Sequence, residues 1–162
     1  VKSEMAAHSD EDLQVIKRLE AVVPSAALSY DQAIRDLGDN DRISFRGPAL
    51  ELREALREVL DHLASDNEVM SAPGYKPEKD NHGNDRDGPT MKQKVRFIMK
   101  KKQSSNAAPE QAVTAFNEAI VGLTRAVYEL GSKATHVAGE RRAVVQLRRY
   151  VVAILHDILE GT

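Results

Sequence analysis

The chain has 162 residues, of which 41% are hydrophobic and 30% are charged, a balance typical of one folded, soluble domain. Lys and Arg number 23 against 25 Asp and Glu, so the net charge is -2 and a chain-wide polycation is excluded. Any nucleic-acid site must therefore be a local patch. The absence of cysteine excludes disulfides, thiolate metal sites and a cysteine nucleophile.

No apolar run approaches the roughly 20 residues that a membrane span needs, and the first twelve residues contain no signal-peptide core. We therefore expect a cytoplasmic protein without a membrane partner. The chain begins with Val1 rather than methionine, so we expect it to be the terminal domain of a longer protein. Aromatic residues make up only 4%, which argues against the base-stacking platforms of sheet-based RNA binders.

The first three predicted helices occupy residues 9 to about 63. Ser9 is placed to cap the first helix, and Ser25 to cap a second one that Gly38 ends. Pro48 suits the first turn of the third helix. The buried face of this helix is indicated by four apolar residues at helical spacing: Leu52, Leu56, Val59 and Leu63. Two favourable ion pairs are expected on its outer side, Glu54–Arg57 and Arg57–Asp61.

Helical periodicity disappears from residue 65 to 89, where Ser, Asn, Asp, Gly and Pro dominate and predict a long irregular loop. Thr90 then caps a fourth helix that ends at about Lys101. Pro109 opens a fifth helix closed by Gly131, and the last helix runs from about 139 to 159. The alternation typical of strands is absent. The sequence predicts a single all-α domain over residues 1–162, a bundle of five or six helices with one long loop at about 65–89.

The densest charge feature is a basic run over residues 92–102 that contains no acid: Lys92, Lys94, Arg96, Lys100, Lys101 and Lys102. It follows Thr90, so a phosphate can meet both these cations and the unpaired amide protons of a helix start. The alternative is a solvated basic face whose apolar side packs on the bundle.

Three residues are candidates for the reacting groups of a nuclease. Arg149 and His156 are seven positions apart on the last helix, on one face and about 10 Å apart along its axis. His can take the proton of a ribose 2′-hydroxyl while Arg stabilises the charge on phosphorus. The spacing fits the loose Arg-x4-6-His pattern of HEPN ribonucleases, as does Arg57–His62. The alternatives are an exposed inert pair or, for His62, an i,i+4 pair with Glu58. His136 precedes the last helix, where it either caps the helix or meets a phosphate.

Metal-dependent chemistry has less support in the residues. No Lys follows an Asp or Glu by two positions, which is the pairing that restriction-type nucleases use to hold Mg²⁺ and water. The segment from Gly83 to Gly88 resembles a calcium loop but has Gly83 at the first ligand position and Lys94 where a bidentate Glu is needed. We therefore expect no resident metal or cofactor, with Mg²⁺ required only if the chain is a nuclease of the carboxylate type.

Several stretches carry a family resemblance. They are Arg46-Gly47-Pro48, Pro73-Gly74-Tyr75-Lys76, the segment from Gly88 to Arg96, and Thr135-His136-Val137. From about Ala27 to Leu159 the chain resembles the bacterial domain called the predicted pPIWI-associating nuclease, a domain of prokaryotic conflict systems that often ends larger proteins. The C-terminal part is also similar to HEPN and abortive-infection helical domains, whose sites usually form across a dimer.

The resemblance implies a nucleic-acid-directed domain of an anti-phage system, either a nuclease or a phosphate-backbone binder. RNA is the favoured partner over DNA, with other defence-system proteins or domains and a second copy of the chain as further partners. On the residues alone, binding is favoured over cleavage. If the chain is a nuclease, metal-independent ribonuclease chemistry by Arg149 and His156, or by His136, is the preferred reaction. Eight residues are candidates for phosphate contacts: Arg46, Arg53, Lys76, Lys79, Thr90, Lys92, Lys94 and Arg96.

Two other functions remain open at this point. One is a non-catalytic helical interaction or dimerisation module, which would present an exposed apolar patch, for example on the first helix. The other is a nucleotide or small-anion sensor, which would use the same basic residues without cleavage. A 65–89 loop that folds over the basic helix would favour a binding site.

Overall fold

The computed structural model describes residues 8–125 and 133–160, and this part of the chain is all-α. It contains seven helices: α1 (Asp10–Val22), α2 (Pro24–Leu37), α3 (Arg46–Leu63), α4 (Asp66–Met70), α5 (Met91–Lys101), α6 (Ala108–Arg125) and α7 (Lys133–Leu159). Within these ranges no strand forms, and a single isolated bridge joins Lys79 to Asp85. The predicted all-α bundle is confirmed.

Two helix starts follow directly from their sequences. The Ser9 hydroxyl accepts a hydrogen bond from the Asp12 amide, while the Asp12 carboxylate accepts one from the Ser9 amide. Thr90 and Gln93 make the same reciprocal pair at the start of α5. Each pair satisfies two amide protons that a helix start leaves unbonded. The predicted caps at Ser9 and Thr90 are confirmed.

The predicted cap at Ser25 is wrong. Val23 is the N-cap of α2, and Pro24 is its first helical residue. Proline has its backbone angle preset for a helix and lacks the N–H that would be unbonded there, so α2 starts one residue before Ser25. The Ser25 hydroxyl instead donates to Glu58 of α3. Gly38 ends α2 as predicted.

Two further boundaries differ from the prediction. The last helix starts at Lys133, six positions before Gly139. The predicted 65–89 loop contains the short helix α4, which Ser65 caps and whose Val69 is buried. This short helix accounts for the seventh helix. Gly131, the predicted end of the fifth helix, lies outside the described residues.

The core is one hydrophobic cluster centred on α3 and α7. The α7 face is fully buried at five residues, each 0% exposed: Val144, Leu147, Val151, Ile154 and Ile158. Leu52, Leu56 and Val59 of α3 are also fully buried, whereas Leu63 is only half-buried. α2 packs along α3, α6 packs along α7, α3 crosses α7, and α1 lies on α2.

Among the described helices, none combines the length and apolar character needed to cross a bilayer.

Candidate functional site

A groove of about 510 Å³ opens between α1 and α7. We call it the α1–α7 groove. The α1 wall consists of four residues at helical spacing: Glu11, Gln14, Val15 and Arg18. The α7 wall consists of seven residues: Arg148, Arg149, Val152, Ala153, Leu155, His156 and Leu159. The groove thus contains both members of the Arg149–His156 pair predicted from the sequence, and Arg18 faces them from the α1 wall.

Two of the three arginines that line this groove, Arg18 and Arg149, are not neutralised by neighbouring acids. Arg149 is exposed and donates to the Gln146 amide oxygen at 3.4 Å. Neither Arg149 nor Arg18 has an ion pair within the described ranges. His156 is exposed on the same face of α7 as Arg149. These three side chains are therefore placed to meet an anion.

Arg148, the neighbouring residue, has a different role. Its guanidinium donates to Asp12 at 2.8 Å and to Glu11 at 3.2 Å, and Asp12 also accepts a hydrogen bond from the buried Tyr30 hydroxyl at 2.7 Å. Burial alone would raise the pKa of the Asp12 carboxyl, but hydrogen bonds from Ser9, Tyr30 and Arg148 outweigh it and lower this pKa. Arg148 therefore fastens α1 to α7 at one end of the groove.

The pKa of Tyr30 is raised, whereas that of Asp12 is lowered. Burial and the hydrogen bond to the Asp12 carboxylate both raise the pKa of this phenol, so it stays protonated and remains a donor. The buried cluster of Asp12, Tyr30 and Arg148 is consequently a structural one, and it sets the position of the groove walls.

The basic run of α5 is partly neutralised. The Lys94 ammonium is buried and lies 2.6 Å from both Asp61 of α3 and Asp66 of α4. Burial lowers the pKa of Lys94, but the two carboxylates more than compensate and raise it above its ordinary value. Arg96 binds both carboxylate oxygens of Glu110, at 3.0 and 3.1 Å. Lys94 and Arg96 therefore join helices.

The segment before α5 does approach the basic helix. The Gln93 side chain donates to the Lys76 carbonyl at 2.8 Å, so the backbone at Lys76 lies against the first turn of α5, while the Lys76 side chain stays exposed. Lys79 pairs with Asp85 instead. Thr90 is engaged as the cap of α5, and Lys92, beside it, has no ion pair within the described ranges.

Arg46 and Arg53 lie on α3, and both are exposed. Arg53 lines a pocket with Leu50, Glu51 and Glu54, so two carboxylates lie on the same surface as its guanidinium. Neither arginine lines the α1–α7 groove. The eight candidate phosphate residues thus belong to several surfaces of the described structure.

The sequence predicts His136 before the last helix, but this residue lies within the first turns of α7. Its Nε2 is 3.3 Å from the Glu140 carboxylate, which is buried and accepts hydrogen bonds from the Phe45 amide and from Ser44 at 3.1 Å. Twenty positions separate His136 from His156, or roughly 30 Å along the helix axis. Within one chain, His136 therefore cannot share a phosphodiester with His156.

Three side chains that could ligate a metal ion lie next to the groove, at the end of α7. Single ligand atoms of His156, Asp157 and Glu160 lie within 4.8 Å of one another. The C-terminal end of a helix is its negative end, which favours a cation, but the Lys102 ammonium already binds the Glu160 carbonyl there. These are the residues that would hold a divalent ion if the chain used one.

An exposed apolar patch on α1 is not seen. Leu13 is the one large hydrophobic residue of α1 that is exposed, at 54%, whereas Val15 and Leu19 are buried. The other exposed large hydrophobic residues of the described structure come from five different segments: Leu28, Ile43, Leu50, Met70 and Val121. The interaction module thus gains no support from α1.

The fold and groove define an all-α domain with a cation-lined cleft. The chain belongs to the family described as predicted pPIWI-associating nuclease, whose sequence profile matches residues 22–160. This confirms the family resemblance, and the matched region contains the whole α7 wall of the groove. It starts at the last residue of α1, so the α1 wall lies outside it. No curated protein and no solved structure matches the chain.

Proposed function

We propose that this chain is a nucleic-acid-directed domain of an anti-phage system that binds RNA in the α1–α7 groove and cleaves it without a metal ion. The observation that carries the proposal is the placement of Arg149, His156 and Arg18 around one groove. Membership of a predicted nuclease family supports a phosphodiester as the ligand. Association with a pPIWI-containing partner is part of the same proposal.

The chemistry follows from the side chains available in the groove. Neutral His156 takes the proton of a ribose 2′-hydroxyl, and the 2′-oxygen attacks the adjacent phosphorus. Arg149 and Arg18 stabilise the additional negative charge on the phosphoryl oxygens in the transition state. The bond to the 5′-oxygen breaks, and that oxygen is protonated by the imidazolium or by water. The products are a 2′,3′-cyclic phosphate and a 5′-hydroxyl.

This mechanism favours RNA over DNA, because the nucleophile is the 2′-hydroxyl itself. A nucleotide or small-anion sensor would use the same arginines but would leave the phosphodiester intact. Cleavage and binding must therefore be measured on the same preparation to separate the two functions.

The test is a cleavage panel. The purified chain is mixed with labelled single-stranded RNA, double-stranded RNA and double-stranded DNA, each with Mg²⁺ and with EDTA. We expect RNA to be cut in EDTA with cyclic-phosphate ends, and His156→Ala to reduce the rate by about 100-fold or more. His62→Ala is the matched control, since Arg57–His62 has a similar spacing but its arginine is paired with Glu54 and Asp61.

Each of the other outcomes has a definite meaning. Cleavage that requires Mg²⁺ and is lost in Asp157→Asn or Glu160→Gln would contradict the metal-free mechanism. It would indicate a metal-dependent mechanism that uses the metal-ligating side chains at the end of α7. Salt-sensitive binding without cleavage under any condition would leave a phosphate-backbone binder. Absence of both cleavage and binding would overturn the proposal.

A further inference from the structure

The α1–α7 groove has an apolar floor beneath its charged rim. Val15 is 9% exposed, Leu155 1% and Leu159 6%, and each still lines the groove. Val152 and Ala153 extend this surface along α7. A ligand that consisted of phosphate alone would contact the arginines but would leave this floor unused.

The size of the groove restricts what can contact that floor. Its volume of about 510 Å³ lies within the range of about 300–1,000 Å³ in which proteins bind single small molecules. A double helix keeps the faces of its bases stacked inside, so it offers the floor no apolar surface. An unpaired base exposes both faces and can lie on apolar side chains while its own backbone stays at the rim.

The α1 wall adds a group suited to the edge of a base. Gln14 is exposed and lines the groove, and its side-chain amide makes no hydrogen bond with another residue in the described ranges. Its amide offers two N–H donors and one carbonyl acceptor, the combination that matches the donor and acceptor pattern of a base edge. Arg18 lies one turn further along the same wall, where residues four apart have Cβ atoms about 5–6 Å from one another.

We propose that the groove takes one unpaired nucleotide of a single strand, with its base on the apolar floor against Gln14 and its flanking phosphates on Arg18 and Arg149. This inference rests on the proposed function, since it specifies the ligand of the same groove. In this arrangement the two walls of the groove have different roles. α7, inside the matched family region, supplies the phosphate contact and the reacting histidine, whereas α1, outside that region, selects the base.

The first experiment compares three uncleavable ligands by fluorescence anisotropy in EDTA. They are a 2′-deoxy single strand, the same sequence as a duplex, and the same single strand with its bases replaced by abasic sites. We expect the single strand to bind at least about tenfold more tightly than both others. Equal affinity for all three would overturn the single-nucleotide inference and leave the phosphate binding of the proposed function intact. Binding of none would overturn both.

Two variants then test the floor and the base edge separately. Ala153 is an exposed lining residue, so Ala153→Leu fills the floor without disturbing the core and should abolish the preference for the single strand over the duplex. Gln14→Ala should reduce discrimination among the four homopolymers at least about fivefold. Gln111→Ala, at an exposed site on α6, is the matched control and should change neither property. Unaltered discrimination in Gln14→Ala would overturn the role of Gln14.

Discussion

The guanidinium of Arg148 lies 2.6 Å from the buried carboxylate of Asp12. This one carboxylate joins three helices, because Asp12 belongs to α1, Arg148 to α7, and Tyr30 of α2 donates to the same oxygen. Glu11 and Arg148 also line the groove at this end. The relative position of the two groove walls therefore depends on a buried ion pair.

Asp12→Ala is expected to lower the free energy of unfolding by about 3 kcal/mol, because it removes the buried partner of the Arg148 charge and leaves the buried Tyr30 hydroxyl without its acceptor. Urea unfolding followed by circular dichroism measures the change. Glu11→Ala is the control: it removes an exposed partner of the same arginine, and we expect a loss of about 0.5 kcal/mol. Equal losses in the two variants would show that the buried carboxylate has no special role.

Stability should also depend on pH through Asp12. The pKa of this carboxyl is lower in the folded protein than its ordinary value of 3.8, so the folded state favours the charged form. The resulting stabilisation is fully present above that ordinary value and is lost as the pH falls through the folded-state pKa. Between about pH 5 and about pH 2, the wild type should therefore lose more stability than Asp12→Asn. Parallel stability curves for the two proteins would contradict this assignment.

Two cations of α5 should differ in their contribution to stability. Lys94→Ala leaves Asp61 and Asp66 facing each other without the buried ammonium, and we expect a loss of about 2 kcal/mol. Arg96→Ala removes a more exposed pair with Glu110, for which we expect about 0.5 kcal/mol. Thermal and urea unfolding of both variants provide the comparison. A smaller loss for Lys94→Ala than for Arg96→Ala would contradict the burial argument.

Much of the fold could be predicted because it depends on local sequence. The caps at Ser9 and Thr90 and the buried faces of α3 and α7 depend on residues within one or two turns of each other. The sequence predicts too late a start for α7, because Gly139 indicates a break locally. In the structure, the buried Glu140 carboxylate holds this part of the helix against Phe45, far away in the chain.

The candidate site is harder to predict than the fold, because it depends on contacts between residues that are far apart in the sequence. The spacing of Arg149 and His156 can be found on one helix, but Arg18 joins them only because α1 packs beside α7. Likewise, the basic run of α5 is evident in the sequence, whereas its neutralisation at Lys94 depends on carboxylates 33 and 28 positions away, at Asp61 and Asp66. Long-range pairing of this kind leaves no periodic signal.

Glu140 should be important for stability although it is charged and buried. Its carboxylate accepts a hydrogen bond from the Phe45 amide, at the residue that precedes α3, and another from Ser44. Glu140→Ala leaves that buried donor unsatisfied, and we expect a loss of about 2 kcal/mol in urea unfolding. Glu118→Ala, at an exposed position on α6, is the control and should change stability by less than about 0.5 kcal/mol. Equal effects would contradict the structural role of Glu140.

Substitutions of the two α7 histidines, His136 and His156, should differ in their effects on cleavage. His136 lies roughly 30 Å along the helix axis from His156, outside the α1–α7 groove, and its 3.3 Å contact is with Glu140. We therefore expect His156→Ala to slow EDTA-resistant cleavage of single-stranded RNA by about 100-fold or more. His136→Ala should act through stability, by about 0.5 kcal/mol. Initial cleavage rates and unfolding curves of both variants, measured on the same preparations, make the comparison. If His136→Ala abolished cleavage while the protein remained folded, the reacting group would lie at the start of α7, and the groove would lose its catalytic role.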